Sequence, residues 1–264
     1  MRRIKRALRR ILMLGLMVLM VVMLYRHFRK PGEEDPEAGP LDLGAIAVMS
    51  INDEVNLGTI TDNPDGGIRI DVVREEGKVY SYIFHDVSKD SWYADAVNFA
   101  VSARLMTGAG DEPYFQPEYG MVRESFAAIL YRFAGGSAET PHYTFDDVEK
   151  DKWYYDIIGW VANRRLMTGL EPTVFGVGQY MTCEQALIGL YRLAGEPETD
   201  GSLADYPYAM KVSDVARNAV DWAWKNGLIT EVECVWYPTQ AISRAQIALL
   251  LMRYSIMSAA AEKA

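Results

Sequence analysis

Three times along the chain an aromatic residue stands eight positions ahead of a helix-opening phrase: Phe115 before Arg123, Phe175 before Cys183, and Trp236 before Arg244. The copies recur at steps of 60 and 61 residues. Each follows a similar helix ending, Arg104-Leu105-Met106-Thr107, Arg165-Leu166-Met167-Thr168 and Gly227-Leu228-Ile229-Thr230. A period of this length means one supersecondary unit used three times, each unit too small to bury its apolar face alone. That constraint points to a binding module rather than to a single catalytic centre.

Within each copy the apolar spacing predicts helix, loop, helix. First helices are expected over about 92–105, 153–166 and 215–228, and the second helix of the first copy over 123–133, with Phe126, Ile129, Leu130 and Phe133 on one stripe. Thr182 and Ser243 each stand three residues before a Gln, the pattern of a capping box, which puts Cys183 and Arg244 at the first helical position. Val122 cannot cap through its side chain, yet Arg123 holds the same place. A cation at a helix N-terminus is mildly unfavourable, whereas a guanidinium beside unpaired N–H groups suits a carboxylate or phosphate. Each Arg either pairs with an acid of a neighbouring copy or reads an anionic ligand, and its recurrence at one register favours the ligand.

The net charge of −9 hides a division. Residues 1–30 hold 9 of the 27 basic residues and none of the 36 acidic ones, so the remainder carries 18 basic against 36 acidic residues. A body that acidic repels phosphate backbones, which argues against nucleic acid as a partner. Residues 11–25 form an unbroken non-polar run flanked by Arg on both sides. Fifteen residues fall short of a hydrocarbon core about 30 Å thick, though snorkelling Arg stems extend the span. The excess of basic residues ahead of the run places the body outside the cytoplasm. A cleaved signal peptide is the rival reading, opposed by Arg26-His27-Phe28-Arg29-Lys30, where small residues should prepare a cleavage site. We expect a basic N-terminus with a transmembrane signal-anchor over 1–30, an acidic Pro/Gly linker over 31–43, and a small β-containing segment over 44–83. In that segment Ile68, Ile70 and Val72 alternate with Arg69 and Asp71, and Glu75-Glu76-Gly77-Lys78 offers a turn into 79–84, the pattern of a β-hairpin.

The repeats resemble S-layer homology domains, modules by which Gram-positive surface proteins hold cell-wall polysaccharide. The aromatic-x-Asp-Val opening stands here as Phe84-His85-Asp86-Val87 and Phe145-Asp146-Asp147-Val148. Trp92-Tyr93-Ala94-Asp95-Ala96-Val97 and the looser Trp153-Tyr154-Tyr155-Asp156-Ile157-Ile158 follow. Leu-Met-Thr-Gly is intact at 105–108 and 166–169, and Leu-Tyr-Arg-Leu-Ala-Gly at 190–195. The resemblance covers about 84–257. It implies a mainly α fold: three helix-loop-helix repeats, 84–135, 145–195 and 203–257, in a pseudo-threefold, trimer-like bundle, behind the N-terminal transmembrane helix and the small β-hairpin segment. It implies grooves between repeats that bind secondary cell-wall polysaccharide, often pyruvylated. Arg123 and Arg244 would read the acid, with Asp86, Asp147, Trp92, Trp153, Gly108 and Gly169 lining or supporting the groove. The Trp side chains have a competing reading as core residues at helix starts.

Several departures weaken individual grooves. Cys183 replaces the second Arg, and the third repeat is eroded: Leu203-Ala204-Asp205-Tyr206 stands for its opening, Val215 takes the Trp place and Glu231 the Gly place. Arg104 and Arg165 occupy a helix-ending position that Gly usually takes. A helix N-terminus lowers a thiol pKa, so Cys183 invites a nucleophilic reading, but no His stands in a recognisable motif with it. Cys183 and Cys234 either form a disulfide or remain two free thiols, and neither is spaced for a metal. We therefore expect no cofactor, no metal and no enzyme activity. The expected protein is a single-pass, cell-wall-facing surface protein joined to membrane through 11–25. The alternative is a surface scaffold whose repeats bind a partner protein.

Overall fold

The computed structural model describes residues 56–109, 112–137, 141 and 145–261, all within the unit Gly39–Ala264. Three strands come first: β1 (Thr59–Asp62), β2 (Ile68–Val73) and β3 (Val79–Phe84). Six helices follow: α1 (Ala94–Ser102), α2 (Arg123–Phe133), α3 (Tyr155–Asn163), α4 (Cys183–Leu193), α5 (Arg217–Lys225) and α6 (Arg244–Ala261).

The strands form an antiparallel meander in the order β1-β2-β3, one strand more than the expected hairpin. Alternation along β2 buries Ile68, Ile70 and Val72, and the polar residues between them face outward. The sheet is tied to α1 by buried polar groups. Asn98 Nδ2 donates to Gly58 O (2.8 Å), Gly58 N donates to Ser102 Oγ (2.9 Å), and Ser102 Oγ donates to Asn98 Oδ1 (3.0 Å). A Cβ on Gly58 would fall 2.6 Å from Ile70, so this close approach requires glycine.

The helices do not pair within a repeat. Instead α2 packs on α3, α4 on α5, and α1 on α6, so each first helix lies against the second helix of the preceding copy and the last pair joins the two ends of the ring. Buried backbone groups close the same cycle at its centre. Met121 N donates to Ile242 O (2.8 Å), Ile242 N to Met181 O (2.9 Å), and Met181 N to Met121 O (2.8 Å). The three side chains are buried, so an apolar axis covers these bonds.

Each first helix ends in one way. Arg104 (φ 59°), Arg165 (φ 55°) and Gly227 (φ 66°) turn left-handed, and the next Leu N–H reaches back to Ala100 O, Val161 O or Ala223 O (all 2.9 Å). This is a Schellman ending whose buried Leu105, Leu166 and Leu228 supply its apolar contact. It explains why the first helices stop several residues short of the predicted ends.

The expected fold class needs correction. Among the described residues it is six α-helices with a three-stranded antiparallel sheet, and none of these helices is long and apolar enough to cross a membrane. The longest, α6 with 18 residues, carries Arg244, Arg253 and Gln246, and it serves the core through Ile247, Leu250, Leu251 and Tyr254. The transmembrane segment expected over 1–30 and the linker expected over 31–43 lie outside the described residues.

Candidate binding site

The second helices begin at Arg123, Cys183 and Arg244, as the caps predict. The capping boxes of Thr182–Gln185 and Ser243–Gln246 are both formed, and Val122 makes no side-chain cap. The helix mouths are not free anion receptors, however. Arg123 N donates to Gln179 O (3.0 Å), Cys183 N to Gln240 O (2.9 Å) and Arg244 N to Tyr119 O (2.9 Å). The next copy's loop takes the N–H groups that a bound anion would need.

The two arginines reach across to that same loop. Arg123 Nε donates to Phe175 O (2.7 Å) and Nη2 to Thr168 O (2.6 Å), with the guanidinium 4.8 Å over the Phe175 ring. Arg244 repeats the geometry on the first copy, Nε to Phe115 O and Nη2 to Thr107 O (both 2.7 Å), 4.8 Å over Phe115. Arg123 is 3 % exposed. Burial pushes the pKa of both arginines down, opposed by Asp147 and Glu124 at Arg123 and by Asp86 at Arg244. Each Arg is therefore an inter-repeat staple, and only its Nη1 group makes no hydrogen bond to a described residue.

Asp86 and Asp147 hold the loops that receive the staples. Asp86 accepts from Phe115 N (2.8 Å) and Gln116 N (2.6 Å). Asp147 accepts from Phe175 N (2.7 Å), Gly176 N (2.6 Å) and Val177 N (2.8 Å). Burial acts to raise the Asp147 pKa, but these three N–H donors prevail and hold the carboxyl below its ordinary value. Gly176 has φ +92°, and a Cβ there would meet Leu170 Cδ1 at 2.6 Å and Arg123 Cδ at 3.1 Å, whereas the first copy carries Gln116 (φ 57°) at the matching place beside Arg244.

The Trp positions split. Trp92 is half-buried, packed on the core and edge-on to Tyr93 at 5.1 Å, whereas Trp153 is 59 % exposed beside Tyr154. Gly108 and Gly169 lie under the following turns; a Cβ on Gly169 would fall 2.5 Å from Glu171 O. Beside Gly169 opens a pocket of about 410 Å³, lined by Arg165, Thr168, Glu171 and an apolar wall that includes Phe145, Met167 and Leu170.

The groove that Cys183 faces is built differently. Tyr206 donates its hydroxyl to Trp236 O, the carbonyl that corresponds to the staple acceptors Phe115 O and Phe175 O. A larger aromatic and a tyrosine thus stand where the other grooves have Phe and Arg. Both thiols are free, which decides between the two alternatives for Cys183 and Cys234 in favour of unpaired thiols. The expectation of a lowered thiol pKa at the helix mouth is reversed: burial pushes Cys183 up to about 12, with Cys234 and Glu184 adding to the shift. Among the described residues no group of three His, Cys, Asp or Glu is placed to hold a metal.

Sequence reasoning missed the staple carbonyls and Tyr206. The recurrence of Leu-Met-Thr was the available signal for the first, because Thr107 and Thr168 carry it.

A family model described as the S-layer homology domain matches residues 83–127 and 144–187. Over 177 residues the chain is 28% identical to a surface-layer 125 kDa protein of Lysinibacillus sphaericus, covering 64% of this chain and 14% of that protein. It is 26% identical over 177 residues to an amylopullulanase of Thermoanaerobacterium thermosulfurigenes, covering 65% and 9%. With the exoglucanase XynX of Acetivibrio thermocellus it shares 25% identity over 176 residues, covering 65% and 16%. The chain thus spans only a small part of each of these relatives.

Proposed function

Given that the chain carries S-layer homology domains over 83–127 and 144–187, we propose that it is a non-catalytic cell-surface module that holds secondary cell-wall polysaccharide in the clefts between successive copies. The observation that carries this reading is the twice-built cleft. An Arg from one copy, an Asp-held aromatic loop from the next and a Leu-Met-Thr-Gly turn meet in one arrangement around Arg123 and again around Arg244. The matched stretch is a minor part of a surface-layer protein and of two different enzymes, an amylopullulanase and an exoglucanase, as suits a shared attachment module. Burial pushes the Cys183 thiol upward, which speaks against a nucleophilic role for that residue. An acidic sugar such as a pyruvylated residue is the ligand class that the remaining Nη1 groups and the pocket cation suit.

The test is retention of the full chain on isolated cell-wall sacculi. We expect sedimentation with native sacculi and loss of it when the polysaccharide has been stripped. Equal retention on stripped walls would overturn the reading. A protein partner is the second reading, favoured by exposed Met210, Val215 and Val232 in the third copy. Retention that depends on wall proteins and survives glycan removal would select it.

A further inference from the structure

We infer that Arg165 is a specificity-determining residue of the second copy, reading a carboxylate on the bound sugar. This inference rests on the glycan-binding reading above and adds to it the residue that selects an acidic ligand.

Arg165 occupies a backbone position that does not suit it. Its φ of 55° is left-handed, at the turn where the third copy has Gly227 at 66°. A side chain with a Cβ is strained there relative to glycine. The fold uses only the Arg165 backbone, whose carbonyl accepts from Arg192 Nη1 at 3.1 Å. Any residue supplies that carbonyl. The Arg165 guanidinium makes no ion pair and no hydrogen bond with a described residue, in contrast to Arg123 and Arg244, whose guanidinia are bound to loop carbonyls. A strained position that carries an unemployed cation is a mark of function rather than of stability.

The same side chain lines the pocket of about 410 Å³. That volume lies within the range of small-molecule sites, roughly 300–1,000 Å³. Its wall is divided as a sugar requires. Phe145, Met167, Leu170 and Pro172 offer apolar surface to ring C–H groups, while Thr168 and Glu171 face hydroxyls. Glu171 lines the pocket without pairing with Arg165, so the cation remains available to an incoming anion. The staple Arg123 fixes the rim, since its Nη2 holds the Thr168 carbonyl at 2.6 Å. Arg123 thus positions the pocket wall, and Arg165 is left to read the ligand.

The experiment measures binding of released wall polysaccharide from the producing organism to the full chain by calorimetry. The polysaccharide is used in its native form and after chemical reduction of its carboxyl groups. Wild-type protein should bind the native form about tenfold or more tightly than the reduced form, the size expected of a charge-assisted hydrogen bond. Arg165→Gly should bind both forms alike, at the affinity of the reduced one, while its melting temperature rises because glycine relieves the left-handed turn. Arg165→Lys should keep part of the preference. A preference for the native form that survives Arg165→Gly would overturn the assignment. If the wild type binds both forms equally, glycan binding stands and the role of Arg165 falls. If it binds neither, the glycan reading falls and this inference falls with it.

Discussion

A guanidinium presents its donors as a rigid planar fork, and Arg123 uses two arms of it to join loops that lie 45 and 52 residues away. A lysine in its place has one compact head and cannot reach Thr168 O and Phe175 O together while lying flat on the Phe175 ring. Arg123→Lys should therefore destabilise the protein by about 2 kcal/mol, two hydrogen bonds to a charged group being weakened at a buried site. Urea unfolding measures this, with Arg244→Lys as a milder counterpart because Arg244 is only half-buried. An unchanged midpoint for Arg123→Lys would show that the staple contributes nothing. The register of both arginines was legible, since the Ser243–Gln246 box fixes Arg244 and the repeat carries it to Arg123. Their acceptors were not legible. A backbone carbonyl has no residue identity, so nothing at Phe175 or Thr168 announces that its oxygen holds a distant side chain.

The boundaries of α2, α4 and α6 show what local chemistry decides at the level of an element. Val122 has φ −83° and ψ 153°, and Thr182, at the same place, has φ −81° and ψ 161°. Their backbones already agree, so α2 lacks the oxygen that accepts from Gln185 N in α4, and it carries Ser125 where Gln185 completes the box. Val122→Thr should add about 0.5–1 kcal/mol through that missing cap, seen as a higher melting temperature with unchanged far-ultraviolet dichroism. A fall would mean that the lost methyl packing outweighs the cap. The C-terminal ends were harder to read, because the apolar stripe runs on through Leu105 and Leu166 while the chain has already turned at Arg104 and Arg165. Arg is a good helix former and gives no stop signal, so the prediction ran past the turn. Strand β1 escaped for another reason: it is four residues long and mostly exposed, so it shows no alternation to detect. The partner of each helix also escaped, because the hydrophobic period says that a face is buried and not what buries it.

At the scale of the molecule, the packing of α1 on α6 joins the ends of the ring, and the carboxylates that hold its loops within each copy are spread over the second and third copies. Asp147 is held by backbone N–H groups, Asp221 by Thr199, Lys225 and Leu203 N, and Glu233 by Arg253 and Thr230. In all three, burial acts to raise the pKa and these partners override it, so the folded value lies below the unfolded one. A depressed carboxylate contributes stability above its unfolded pKa, near 3.9 for Asp and 4.3 for Glu, and loses it as pH falls through the folded value. Stability should thus be level from pH 7 to about 5 and then fall steeply below about pH 4. The Lys225 bridge sharpens this, since Asp221 is completely buried and cannot exchange its partner for water. Because the Met121–Ile242–Met181 cycle passes through all three copies, loosening one loop at low pH removes the support of the next. Acid unfolding should then be a single transition, with tryptophan fluorescence from the second and third copies (Trp160 and Trp222) changing together with helical dichroism. A third copy that melts first, separated in pH from the helical signal of the rest, would show that the ring does not couple its parts.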